Sequence, residues 1–211
     1  MPPVDENLMA SAEKILEARE KLLSTEGIAV EYARKDRSEH LSSIAQYKRK
    51  LAIAKDDRQA GEYLFRIGLE YYFMFRKISP ELADDRRDAL AKAIEAFQTS
   101  AARGKLGESA SYVADLCGEY IQGGWSTAPI GGRMVDADMM LEQYLLAFEL
   151  LAAEEKTPGW REGDRHKGWL VNSIRSGIRR ALGHQGREKD FGQVLWDIEQ
   201  KYKGTVLGTQ L

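Results

Sequence analysis

The chain has 211 residues, 43% hydrophobic and 30% charged, with a formal net charge of -2. That balance excludes a disordered polyelectrolyte and gives no global pull toward nucleic acid or an anionic membrane. A single cysteine, Cys117, excludes an intramolecular disulfide, and five prolines leave long helices permitted almost throughout.

Residues 1–20 carry charges along their whole length and no apolar run of the signal-peptide kind. This agrees with a cytoplasmic chain, and with a periplasmic one whose signal has been removed. Apolar residues recur with a period of about 3.6 in nearly every segment, so an all-α fold is expected. The first run, 5–23, has Asp5 as a natural N-cap and Gly27 as a stop. Ser38 is the expected cap of a second run, with Leu41, Ile44, Lys48 and Leu51 along one face. Both runs are charge-rich and narrowly apolar, so residues 1–56 are expected to form an N-terminal helical cap.

Residues 57–211 are expected to form a helical-repeat array. The stretch 58–75 is dense in aromatics, and Ser79-Pro80 opens a new turn. The next helix places Leu90, Ala93, Ile94, Phe97 and Ala101 on one stripe and ends at Gly104, with Asp84, Asp85 and Asp88 as acids at its start. A helix over 108–124 and a loop through Pro129 and Gly131-Gly132 follow. Asp138 is expected to cap MMLEQYLLAFELLAA, which is too short and too acidic for a membrane span. Pro158-Gly159 breaks the chain before a last helix pair.

Helices expected near 89, 138 and 188 recur about every fifty residues, with Phe97, Phe148 and Trp196 in similar places. The stretches IGLEY (67–71) and LCGEY (116–120) align residue for residue as apolar-small-x-Glu-Tyr. Such recurrence marks an α-solenoid of antiparallel helix pairs. LCGEYIQGG resembles the second helix of Sel1-like repeats, relatives of the tetratricopeptide repeat, and AARG at 101–104 resembles their alanine-alanine-x-glycine. The similarity spans roughly residues 58–155; Cys117 stands where the family has glycine, whereas Gly68 fits. The resemblance implies close helix contacts at Gly68 and Gly118, C-capping at Gly123 and Gly124, and a protein-binding scaffold without catalysis.

Candidate chemistry is sparse. His40, His166 and His184 have no metal-ligand spacing, and one cysteine cannot build a structural zinc site. GKLGES (104–109) lacks the Gly-Lys-Ser/Thr ending of a phosphate loop. Cys117, mid-helix among apolar neighbours, reads as a small packing residue. No catalytic residue, metal or cofactor is therefore expected.

Two constellations remain. Residues 165–187 contain no acid, and Arg175 and Arg179 share a helix face with Arg180, His184 and Arg187 nearby. This is either a patch for an acidic partner or a solvated helix face. Trp125 and Trp160 follow glycines in loops, with Arg133 and Arg161 close by, and are either interface anchors or plugs between repeats. The partner-binding set is thus Trp125, Arg133, Trp160, Arg161, Arg175 and Arg179. The expected function is a non-enzymatic binder of another protein or peptide, with neither nucleic acid nor a membrane span involved. The family resemblance extends this to a bacterial immunity or chaperone-like protein for a secreted effector. A structural or oligomerisation module and an enzyme with a site in the solenoid groove are the alternatives.

Overall fold

A computed structural model describes residues 35–125, 129–156 and 165–209. Seven α-helices follow one another there: α1 Arg37–Ala52, α2 Asp57–Lys77, α3 Ala83–Gly104, α4 Gly107–Gln122, α5 Ala137–Glu154, α6 Arg165–His184 and α7 Phe191–Lys201. No β-strand occurs among the described residues, and each helix packs chiefly on its neighbours in the chain. The all-helical expectation holds. The run 5–23, its cap Asp5 and most of the segment 1–56 lie outside the described residues.

The caps differ from the expected ones. Asp36, not Ser38, starts α1: its Oδ1 accepts from Glu39 N at 2.9 Å while Glu39 Oε2 accepts from Asp36 N at 2.6 Å. Aspartate three residues before glutamate satisfies two free N–H groups reciprocally, which Ser38, two residues further in and three before Leu41, cannot do. Likewise Asp136, not Asp138, caps α5 by accepting from Met139 N at 2.9 Å. Asp138 falls in the first turn, where its charge still suits the helix dipole. Helices α3 and α7 begin at Ala83 and Phe191 rather than near 89 and 188; Glu188–Asp190 is a short 3-10 turn.

The main core runs from α2 to the C-terminal turn and is filled by Phe75, Phe97, Tyr120, Tyr144 and Phe148, all essentially inaccessible. A smaller cluster of Ile44, Ile67 and Ala96 joins α1 to it, supported by Tyr47 and Leu51. That narrow contact is what a helix with one thin apolar stripe can offer. Trp196 does not occupy a place like those of Phe97 and Phe148: it is 55% exposed, and Leu195 and Ile198 make the inward face of α7.

Helices α2 and α3 approach backbone to backbone. A Cβ on Gly104 would stand 2.7 Å from the Cα of Gly61, closer than any side chain tolerates. Ser100 Oγ donates to the Gly61 carbonyl at 2.7 Å and accepts from Ser109 Oγ at 2.8 Å, so its buried hydroxyl is satisfied at this crossing. A Cβ on Gly68 would meet the Phe97 ring at 2.6 Å, whereas one on Gly118 would only touch Met140 Cε at 3.4 Å. Of the two glycines singled out by the repeat alignment, Gly68 is the tighter contact by far. Two residues, Lys105 and Leu106, join α3 to α4, and Lys105 adopts the left-handed conformation with φ 53°.

Candidate binding groove

The residues of α4 at 108, 112, 115, 119 and 122 fall three or four apart, so they form one stripe along the helix, with Ser111 beside it. That stripe is the centre of a groove of about 340 Å³. Tyr72 and Arg76, one turn apart on α2, line one side, and Leu170, Ser173 and Arg180 of α6 line the other. Three alternate helices thus share one surface.

Aromatic packing builds the α2 side. Tyr112 stacks on buried Phe97 with centroids 4.8 Å apart and meets Tyr72 edge-on at 6.1 Å. Phe65 packs against both Phe97 and Tyr112 from behind. Burial raises the Tyr72 phenol above its ordinary value, so it is a neutral donor at physiological pH. Arg76 spans from α2 to Glu119 of α4 at 3.3 Å.

The α6 side is a polar clamp. Tyr144 on α5 donates to Asp115 Oδ1 at 2.5 Å, and Arg180 Nη2 donates to Asp115 Oδ1 at 2.8 Å and to Tyr144 OH at 2.9 Å. Burial, followed by the Asp115 charge, pushes the Tyr144 phenol far up. The ring fits because Gly177 of α6 faces it: a Cβ there would lie 2.5 Å from Tyr144 Cε2. Three acids (Glu108, Asp115, Glu119) and two arginines (Arg76, Arg180) line the groove, a balance of -1.

Those of the residues singled out from sequence that are described lie elsewhere. Trp125 is half-buried, folded back so that its ring lies over Gly123 and meets Tyr120 edge-on at 5.7 Å. Gly123 C-caps α4 and Gly124 follows at φ 73°, which turns the chain to bring the ring back. Arg133 sits after a tight turn in which Ile130 and Arg133 exchange backbone hydrogen bonds across Gly131 and Gly132, both at positive φ. Its guanidinium pairs with Glu142, Nη1 lying 3.0 Å from Oε1. Arg175 and Arg179 are exposed on α6; Arg179 pairs with Glu188 at 3.0 Å and covers the Phe191 ring. Trp160 and Arg161 lie outside the described residues. None of the four described residues lines the groove, whereas Arg180 of the same basic run does.

Tyr72 and Tyr112 could not be told from core aromatics by sequence, since both are half core. Their one signal was polar partners at i+4 and i+3, Arg76 and Asp115. Among the described residues, no three metal-ligating side chains converge. Cys117 is buried and its thiol is pushed up to about 12 by desolvation, so it carries no thiolate near neutrality. Compared with known proteins, the chain matches no family model, no curated protein and no solved structure.

Proposed function

We propose that the chain is a non-enzymatic helical-repeat protein, of the Sel1-like or tetratricopeptide-like kind, that holds a segment of another protein in the groove of α2, α4 and α6. The observation that carries this reading is the sharing of one groove by alternate helices, the way stacked helix pairs build a binding wall. Its tyrosines and arginines are the side chains that contribute most at protein interfaces. The acidic balance disfavours a phosphate backbone as ligand. The narrower reading, a bacterial immunity or chaperone-like protein for one effector, rests on family analogy; a toxin gene beside this one is its test.

Affinity purification of the full chain supplies a partner whose affinity can be titrated. Glu119→Lys and Gln122→Trp alter the groove without removing a core side chain. Each should weaken binding by about 2 kcal/mol or more while leaving melting unchanged. Retained affinity in both, with loss instead in Arg175→Ala and Arg179→Ala, would move the interface to the exposed face of α6 and overturn the groove.

A further inference from the structure

Helices α5 and α7 are second neighbours in the chain, and between them lies a groove of about 550 Å³, larger than that of α2, α4 and α6. Each helix gives it a stripe spaced i, i+3, i+4, i+7: Glu142, Leu145, Leu146 and Glu149 on α5, and Val194, Asp197, Ile198 and Lys201 on α7. That spacing keeps each stripe on one helix face over two turns, roughly 10 Å. Phe148 of α5 meets Tyr202, at the end of α7, edge-on at 5.0 Å and joins the two walls. No other described helix lines the groove.

The α5 stripe is apolar in the middle and acidic at both ends, and the α7 stripe alternates apolar and charged residues. Leu145 is 37% exposed, and Leu146 and Val194 are half-buried. Glu142, Glu149 and Asp197 outnumber Lys201. Counting Arg133, which pairs with Glu142 from outside the lining, the balance is still negative. Lys201 pairs with Glu149 at 3.4 Å, and Asp197 accepts from the neutral Gln193 amide at 2.8 Å. These pairs are exposed and hold little energy, so incoming cations can exchange for them at small cost. The walls are helices, whose inner backbone groups are already bonded, so an extended segment finds no edge to pair with. A helix with a ridge at the same spacing can interdigitate with both walls. The carboxylates repel phosphates, whether of nucleic acid or of a lipid headgroup.

We propose that this groove docks a short amphipathic helix of a partner protein, with apolar side chains at i, i+3 and i+4 and basic ones flanking them. Its apolar ridge enters between Leu145, Leu146, Val194 and Ile198, and its cations meet Glu142, Glu149 and Asp197. The surface shares no residue with the groove of α2, α4 and α6 and stands independently of the function proposed above.

The probe is a fluorescently labelled three-turn peptide with leucine at i, i+3, i+4 and i+7 and lysine elsewhere. Its binding to the full chain is read by anisotropy. It should bind saturably, with an affinity that falls as salt is added. One control peptide carries glutamate in place of lysine, and another has the same residues in an order that forms no apolar face. Each should bind about tenfold more weakly or worse. Leu145→Gln and Asp197→Lys, both changes at exposed positions, should each weaken the lysine peptide about tenfold while melting stays unchanged. Equal binding of the reordered peptide would mean charge attraction alone and would overturn the proposal. Undiminished affinity in both variants, with loss in Glu119→Lys, would put the peptide in the other groove and overturn it too. Two further results would overturn it by changing the occupant. A dimer of the full chain that is lost in Leu145→Gln would make it a second copy. Tighter binding of a peptide of residues 5–23 would make it this chain's own first run.

Discussion

Gly61 and Gly104 meet backbone to backbone, and their contact sets the distance between α2 and α3. Neither glycine is at a positive φ, so alanine would suit the helices themselves and gain up to about 1 kcal/mol in propensity. The obstacle is a facing main chain, which cannot change rotamer. Gly61→Ala and Gly104→Ala should each destabilise by about 1–3 kcal/mol. Gly183→Ala on α6, with nothing near its Cβ, should stabilise slightly. Thermal melts of the three variants give the comparison. Equal effects at all three would show that the α2–α3 crossing is looser than described.

The clamp of Asp115, Tyr144 and Arg180 should behave cooperatively. Tyr144→Phe leaves the Arg180–Asp115 bond in place but removes the hydroxyl that both partners use. A loss of about 1–2 kcal/mol is expected. Arg180→Gln should cost less in the Tyr144→Phe background than alone. Additive denaturation free energies would indicate that the three groups act separately.

Acid should loosen α1 first. Asp36 titrates below its ordinary 3.8, chiefly because the Glu39 backbone N–H donates to it. Its native value is depressed, so its stabilising effect is complete above 3.8 and disappears as pH falls through the lower native value. Asp36→Asn keeps an acceptor for the cap but loses the charge. Its stability should therefore change less with pH on the acid side than that of the wild type. A pH series of melts monitored by helicity checks this, and parallel acid limbs would refute it.

Cys117 should resist alkylation in the folded protein. Desolvation raises its thiol to about 12 and the side chain has no exposure, so both thiolate and access are lacking near pH 8. Labelling should track global unfolding in a denaturant series. Rapid labelling of the native state would place Cys117 on an opening segment.

The helices of the described residues could be read from sequence because burial imposes a period on each segment by itself, as the stripe from Leu90 to Ala101 illustrates. The cap positions slipped by two residues because neighbouring side chains compete as acceptors (Ser38 with Asp36, Asp138 with Asp136), and only the backbone geometry at Asp36 and Asp136 decides. The groove was harder. Tyr72 belongs to an aromatic run that reads as core, and Arg180 differs from Arg179 only by the 100° that turns one to Asp115 and the other to Glu188. The aligned glutamates of IGLEY and LCGEY are equally instructive. Glu70 is buried against His40, whereas Glu119 reaches the half-open surface to meet Arg76. Partners 30 and 43 residues away leave no periodic trace.

The left-handed Lys105 has a mechanical consequence. With only two residues between α3 and α4, the angle at that elbow is held by one strained backbone position next to the immovable Gly61–Gly104 contact. Tyr112 on α4 stacks on Phe97 of α3, so the elbow also sets how far the groove can gape. Lys105→Gly would relieve about 1 kcal/mol of strain and free the hinge at once. The variant should melt later yet leave the groove less firmly shaped, so that it would hold the proposed partner less tightly, trading stiffness for stability.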